Sequence, residues 1–364
     1  MSKRGRVARL LGAFVFIAAV VGSAGRCEAF VPVITDEDRA IVQGVLDQEK
    51  PADQVTSELV ELLVSERWGV REVAAQELMQ RDLAERDLNR LETIVGPPPP
   101  DPSGSMASQA WPVLARGRTE GKSLDEQIEW CVTQLRYPLG LWRASGAVGH
   151  LVEIGDRAVP RLIRATEREG TYAQEMAAAA LMRIGTQDAT TAVERWALRA
   201  LETTDDPLLL QGATYNLGKL RSEAGFEPLE RGLWDHLEEH WSWAIIDSLV
   251  QIDPERAREL LLRILAEHEP EAGRPGLIEP YLRSARHLAT LGEERGWMAL
   301  EDAVHSPLPD VRRELASALS ATWNPRARES LVTLTQDENE QVAESATYWL
   351  NNFDQGLKRM EERQ

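Results

Sequence analysis

Apolar residues after Thr35 recur three and four positions apart, in short stretches that Asp, Pro, Gly and Asn interrupt. Such spacing places the apolar side chains on one side of an α-helix, whereas a half-buried strand would alternate apolar and polar residues. Alternating runs of β-branched residues are scarce in this chain. The pattern therefore predicts an all-helical protein.

One of these helical stretches is repeated along the chain. The segment Ala173–Leu181, which precedes Ile184 and Gly185, returns as Val70–Leu78, Val311–Leu319 and Val342–Leu350. Looser copies end at Leu151, Leu217, Leu249 and Leu288. We call the last leucine of each copy its marker leucine. From Leu151 onward the marker leucines lie about 30 to 40 residues apart, which is the length of two short helices and two turns.

A second set of amphipathic stretches lies between these copies and is expected to supply the other helix of each pair. These stretches are Ala158–Ala165, Ala189–Leu201, Phe226–Leu237, Pro254–Ala266, Gly296–Val304 and Pro325–Leu334. One helix pair cannot bury its apolar side alone, so successive pairs must stack on each other. We therefore expect an all-α fold, an α-α superhelix (solenoid) of about eight or nine helix pairs.

The chain is expected to divide into four parts. These are a signal peptide at 1–29, an N-terminal helical cap at 30–52, the repeat solenoid at 53–353 and a polar C-terminal tail at 354–364. Two loops with proline and glycine, 96–104 and 269–277, are predicted insertions within the solenoid. The first of them separates Leu83–Val95 from Met106–Arg118, which are the predicted helices of one pair.

Three details resemble the HEAT-repeat family, in particular the short bacterial HEAT-like repeats also seen in phycobilisome lyases. They are the phrase Ala158-Val-Pro-Arg-Leu-Ile163, the Ala-rich helix that closes on Ile184-Gly185, and Val311-Arg312. The resemblance implies a curved stack whose second helices line a concave face that grips proteins. Among the close copies, however, this sequence keeps the arginine of the second helix only at Arg71 and Arg312.

The N-terminus reads as an export signal. Lys3, Arg4, Arg6 and Arg9 precede the apolar run Leu10–Val21, and small residues follow it. A membrane span needs roughly 20 apolar residues, so this shorter run fits the core of a signal peptide. Cleavage after Ala29 is preferred, and cleavage after Ala24 is the alternative. We expect a bacterial protein that is periplasmic or secreted, or else one anchored through an uncleaved N-terminal segment.

The formal net charge of −18 limits the partners. Removal of the basic N-terminal segment would make the mature chain more acidic still. An acidic surface repels phosphate backbones and anionic lipids, so we expect no nucleic acid and no membrane insertion after cleavage. Two cysteines provide no disulfide framework, and Cys131 is expected to be an inert buried thiol.

One motif could carry catalysis. The segment His236-Leu-Glu-Glu-His240 has the order found in inverted zinc peptidases, where two histidines four apart on one helix hold zinc and the glutamate activates water. His236, Glu239 and His240 are therefore candidate metal residues. The motif is short, the repeats offer no mixed α/β fold around it, and solvated helix-end residues are the simpler interpretation.

Aromatic residues are the candidates for partner binding. Eleven tryptophans are present, and several lie in or beside the repeated helices. The selected candidates are Trp241, Trp243, Trp142, Tyr281 and Trp349. Burial between stacked repeats is the usual fate of tryptophan. Trp241 and Trp243 are two residues apart and so point to different sides of a helix, which makes one of them the best single candidate.

These observations favour a monomeric, non-enzymatic scaffold that binds a protein or peptide along its concave face without a cofactor. The first alternative is a zinc-dependent hydrolase centred on His236 and His240. The second alternative is a purely structural component of a cell envelope.

Overall fold

The structure is a computed structural model that describes residues 34–95, 105–136, 141–271 and 273–362, without the side chains of 105–108, 141–143 and 361. All regular secondary structure in these ranges is helical. The α-helices are α1 Asp36–Leu46, α2 Ala52–Leu62, α3 Trp68–Leu78, α4 Glu85–Val95, α5 Ser105–Thr119, α6 Leu124–Gln134, α7 Leu141–Ile154, α8 Val159–Arg168, α9 Thr171–Ile184, α10 Gln187–Thr203, α11 Pro207–Leu220, α12 Phe226–Asp235, α13 Ser242–Ile252, α14 Pro254–Glu267, α15 Ile278–Thr290, α16 Glu294–Ala303, α17 Pro309–Ser320, α18 Ala327–Leu334 and α19 Glu340–Glu361. Short 3-10 turns occupy Gly155–Ala158, Glu223–Gly225 and Pro275–Leu277.

The helices after α1 form pairs, from α2 with α3 to α18 with α19, and each marker leucine lies in the second helix of its pair or at its end. Nine pairs are present in the described ranges, so the predicted all-α solenoid of helix pairs is confirmed. The pair around the first insertion is α4 with α5, close to the predicted bounds. The proline-rich loop 96–104 and the predicted signal peptide 1–29 lie outside the described residues.

The chain separates into two compact units, residues 1–189 and 190–364. Within each unit the second helices pack on one another, as α7 does on α9 and α11 on α13. Small residues permit this close approach. In α9 the alanines Ala177, Ala178 and Ala180 are all fully buried, because a larger side chain would hold the neighbouring helices apart.

A left-handed residue ends several second helices four positions after the marker leucine. Gly155, Gly185 and Gly292 have φ between 71° and 83° there, a conformation that glycine adopts without steric cost. Arg221 and Trp323 occupy the equivalent position with φ of 51°. A residue with a β-carbon costs about 1–2 kcal/mol in this conformation. Two repeats therefore carry a side chain where the backbone favours none.

The two second-helix arginines of the repeat pattern share one structural role. Arg71 donates through Nη1 to the carbonyl of Ser65 at 2.6 Å, and Arg312 donates to the carbonyl of Ser306 at 2.8 Å. Arg312 also forms two hydrogen bonds with the carboxylate of Asp337, at 2.6 and 2.9 Å. Each arginine thus binds the loop that precedes its own helix, so the two hold local turns and form no charged ladder.

First helices of successive pairs are joined by exposed ion pairs. In the first unit Arg90 of α4 meets Glu61 of α2 at 2.8 Å, and Arg161 of α8 meets Glu129 of α6 at 2.6 Å. Exposed pairs of this kind contribute about 0–1 kcal/mol each, so most of the stability comes from the apolar packing.

The C-terminal helix α19 continues to Glu361, through the segment predicted as a polar tail. Its last turns present exposed Lys358, Arg359 and Met360, so the segment is polar and helical at once. In the described ranges, no helix combines the length and the apolar character that a membrane span requires.

Candidate binding face

The exposed side of the second helices in residues 190–364 is the candidate functional surface, and we call it the second-helix face. A row of residues two positions before the marker leucines lies along it. The row consists of Tyr215, Asp247, Arg286, Ser317 and Tyr348. Tyr348 keeps 61% of its surface exposed, and the other four are partly buried. The face is therefore polar and aromatic, unlike the aliphatic sides that the same helices bury.

A charged network lies in the middle of this face, between α13 and α15. Arg283 donates to Oδ2 of Asp247 at 2.7 Å, and Arg286 donates to Oδ1 at 3.0 Å. The Nε2 atom of His287 lies 2.6 Å from the same Oδ1 and 2.7 Å from Nη2 of Arg286. Between 18% and 24% of each of these side chains is exposed. One recessed carboxylate thus holds three side chains of the next helix pair.

The pKa values in the network follow from this geometry. Burial by itself would raise the pKa of Asp247, but the hydrogen bond from His287 and the charges of Arg283 and Arg286 outweigh it and hold the pKa far below its usual range. Burial lowers the pKa of Arg286 and that of His287, and Asp247 offsets this only in part. Burial therefore favours the neutral ring of His287 over the charged one.

An aromatic ring and a second carboxylate complete the cluster. The guanidinium carbon of Arg283 lies 5.1 Å from the ring centroid of Trp243, and its Nη2 donates to Glu279 at 3.1 Å. Glu279 keeps 46% of its side chain exposed, yet burial among neighbouring groups raises its pKa. Glu279 is thus an accessible carboxylate at the edge of the cluster, next to Arg283.

Trp241 and Trp243 point to different sides, as the spacing predicts. Trp241 is only 2% exposed, and its Nε1 donates to Glu239 at 2.8 Å. The choice of Trp241 as a contact residue is therefore wrong, because the indole fills the core at the start of α13. Trp243 is half-buried and lies on the second-helix face beneath Arg283, and it stays a prediction.

The other aromatic candidates differ in their positions. Tyr281 and Trp349 both pack against the buried core of the second unit, so neither stands free on the second-helix face as predicted. The physical reason for Tyr281 is its position about 200° around α15 from Glu279, on the other side of the helix. Tyr348, beside Trp349, is the exposed ring. The side chain of Trp142 lies outside the described residues.

The motif His236-Leu-Glu-Glu-His240 is not helical. Helix α12 ends at Asp235, so His236 and His240 do not lie four apart on one helical face, and the premise of the zinc-site prediction is wrong. The Nδ1 atom of His236 lies 3.0 Å from Oε1 of Glu239. Glu238 pairs with Arg274 of the second insertion at 2.5 Å. Among the described residues, no three His, Cys, Asp or Glu side chains are grouped so that they could hold a metal ion.

Sequence analysis did not predict the network around Asp247. No recognised motif contains Asp247, Arg283, Arg286 or His287. One feature of the sequence could have indicated it. Trp243 and Asp247 are four positions apart on one side of a helix, and Arg283 and Arg286 follow one repeat later. Cys131 is fully buried, and burial raises its pKa to about 12, which makes it a poor nucleophile.

The described helices stack in successive pairs, as HEAT-like repeats do, so the predicted resemblance is confirmed for the fold. No protein-family model and no curated protein matches the sequence. Among solved structures, the chain is similar to the complex of CpcE and CpcF of phycocyanin lyase from Nostoc sp. PCC7120, with 19% identity and a TM-score of 0.39 over 64% of this chain and 96% of that one. It is also similar to an engineered protein, with 18% identity and a TM-score of 0.32 over 86% of this chain and 91% of that one. Both likenesses concern the fold.

The prediction that the chain is not an enzyme is corrected by this comparison. It rested on the repeat architecture and on the lack of a recognisable catalytic motif. A solved structure with a similar fold belongs to a phycocyanin lyase, and a lyase is an enzyme.

Proposed function

We propose that this chain is a scaffold that binds a protein or peptide partner on the second-helix face of residues 190–364. The observation that carries the proposal is the recessed cluster of Trp243, Asp247, Glu279, Arg283 and Arg286, with exposed Tyr348 on the same face. Aromatic rings and arginines are the side chains that most often dominate binding energy at protein interfaces. The first helices instead show exposed ion pairs that join one repeat to the next.

The net charge of −18 supports a partner with a basic or neutral surface, and it opposes nucleic acid and anionic membranes. We also propose that the protein works outside the cytoplasm, as a periplasmic or secreted protein. The basic residues and the apolar run before Ala29 support this. Edman sequencing of the mature chain from a cell envelope would test it: a start at Phe30 or Gly25 fits export, and an intact Met1 contradicts cleavage.

Photo-crosslinking tests the proposed face. A photoreactive phenylalanine is placed at Gln211, Val250 and Ser317 on the second-helix face, and at Met298, which is 55% exposed on the first helix α16, as the matched control. We expect one partner protein to be crosslinked in the cell envelope from the three face positions and not from Met298. Equal crosslinking from all four positions, or from Met298 alone, contradicts the proposal. No crosslink from any position would favour a purely structural component.

A further inference from the structure

In the second unit, an acidic and an aromatic side chain that are three or four positions apart repeatedly hold an arginine of the next helix pair. Glu223 and Phe226 hold Arg256, whose guanidinium carbon lies 3.8 Å from the ring centroid and whose Nη1 lies 2.9 Å from the carboxylate. The ring contact and the ion pair act on the same guanidinium, one on its face and one on its edge.

The same arrangement occurs at two further places. Glu294 and Trp297 hold Arg326, at 2.8 Å from the carboxylate and 5.0 Å from the ring centroid. On the second-helix face, Trp243 and Asp247 hold Arg283, at 5.1 Å from the ring centroid and 2.7 Å from the carboxylate. In each case the acid and the ring are three or four positions apart. Glu294 with Trp297 and Trp243 with Asp247 lie on one side of an α-helix, and Glu223 lies in the 3-10 turn directly before Phe226.

A fourth pair has the same spacing but no arginine. Glu344 and Tyr348 are four apart on α19, both are exposed, and within the described ranges neither meets a Lys or Arg side chain. Arg313 lies near this segment, because its backbone carbonyl accepts a hydrogen bond from Ser345 at 3.3 Å. Its side chain is already paired with Asp310 at 3.0 Å and Glu314 at 3.2 Å.

The ring of Tyr348 is held in place by Trp349, whose ring centroid lies 5.1 Å away at an interplanar angle of 79°. An edge-on contact of this kind fixes the orientation of the phenol ring and leaves a face open. Tyr348 also belongs to the row that contains Asp247 and Arg286 on the second-helix face. The open pair is therefore continuous with the surface proposed above to bind a partner.

We propose that Glu344 and Tyr348 receive an arginine side chain of the partner protein, with the guanidinium over the phenol ring and paired with the carboxylate. This inference rests on the proposed function, because it assigns the chemistry of one contact on the second-helix face. Two observations favour a cation here, namely the three filled pairs and the net charge of −18. Arginine fits better than lysine because its planar guanidinium stacks on a ring and pairs with a carboxylate at once.

Fluorine NMR on the full chain tests the pair directly. The five tyrosines are replaced by 3-fluorotyrosine, and the signal of Tyr348 is assigned with Tyr348→Phe. The probe is N-acetylarginine amide, and N-acetylcitrulline amide is the matched neutral probe. We expect a saturable shift of the Tyr348 signal with the arginine probe alone. Glu344→Gln should weaken its binding by about fivefold, while Glu329→Gln, which removes an exposed acid from first helix α18, should change it by less than about 1.5-fold.

Three results would overturn the inference: an unmoved Tyr348 signal, an equal shift with the citrulline probe, or unchanged binding in Glu344→Gln. A dimer seen by sedimentation and lost in Glu344→Gln would assign the pair to a second copy of the chain, which also contradicts a partner's arginine. Failure of the proposed function is separate, because it is read from the crosslinks at Gln211, Val250 and Ser317. Crosslinks at those positions without arginine binding at Tyr348 would support the proposed second-helix face and contradict only the arginine contact.

Discussion

Replacing Asp247 with asparagine removes the negative charge that Arg283, Arg286 and His287 share, and it leaves the shape of the side chain almost unchanged. The two arginines would then lie side by side between α13 and α15 with only Glu279 to offset them. The remaining cations would repel each other in a recess where water reaches only about a fifth of each side chain. We expect the packing of α13 on α15 to weaken.

The size of the effect follows from the burial of the network. Removing one partner of a buried ion pair costs about 3–5 kcal/mol. Because Asp247 keeps 24% of its side chain exposed, we expect the lower end, about 3 kcal/mol. A free energy of that size corresponds to roughly a hundredfold change in an opening equilibrium. In a cooperative domain of 150–250 residues it would lower the melting temperature by about 6–12 °C.

Hydrogen exchange read by mass spectrometry suits this prediction, because repeat proteins can unfold in parts. Peptides from α13 and α15 of Asp247→Asn should exchange about a hundredfold faster than those of the wild type, while peptides from α3 should be unchanged. Glu329→Gln is the control for the loss of an exposed acid. Adding Arg286→Gln to Asp247→Asn should restore part of the protection. Exchange in α13 and α15 that rises less than about threefold would refute the reasoning.

Three further predictions concern other parts of the second unit. Gly356→Ala should destabilise the last described helix pair by about 1–3 kcal/mol in urea unfolding, because a β-carbon there overlaps the indole of Trp323. When Trp323 is replaced by glycine, the overlap is gone, and Gly356→Ala should then stabilise the protein by about 1 kcal/mol. Arg312→Lys should lower the free energy of unfolding by about 2 kcal/mol, because lysine cannot bind both carboxylate oxygens of Asp337 and the carbonyl of Ser306. Arg328→Lys, at an exposed ion pair, should lower it by under about 1 kcal/mol. Equal losses of stability in the two variants would contradict this prediction. Burial lowers the pKa of His287, so its contribution to stability is complete above its unfolded pKa of about 6.5 and is lost as the pH falls below that value. The melting temperature of His287→Gln should therefore depend less on pH between 7.5 and 5.5 than that of the wild type. An unchanged slope of melting temperature against pH would contradict this prediction.

Helix positions were predictable because they depend on short-range spacing. Phe226–Leu237 was expected, and α12 covers Phe226–Asp235. The helix therefore ends before His236 and Leu237, the first residues of the motif for which the zinc site was predicted. A period of three to four residues continues there in the sequence, but the chain leaves the helix so that Trp241 can fill the core and Glu238 can meet Arg274 of the insertion. Such tertiary contacts are not visible in local spacing.

The candidate site was harder to predict because its contacts join residues of different repeats. Asp247 and Arg283 meet only if the insertion at 269–277 adds length without shifting the register of the helices on either side. The structure meets this condition, because Arg283 reaches Asp247. The insertion itself packs closely, since Gly276 lies against the backbone of Glu238, where a larger residue would clash. A sequence reader who knew the register of the repeats could have aligned Asp247 with Arg286, because each lies two residues before a marker leucine.

Trp323 and Tyr348 are both exposed aromatic residues, but their positions in the repeats indicate different roles. Its backbone adopts the left-handed conformation that three equivalent repeats assign to glycine, and the indole lies parallel to Phe353 at an interplanar angle of 7°. Phe353 is fully buried, and the indole of Trp323 is stacked on it. The backbone cost at Trp323 is therefore explained by packing. Tyr348 shows no left-handed backbone and keeps 61% of its surface exposed, and this contrast favours Tyr348 as the side chain that meets a partner.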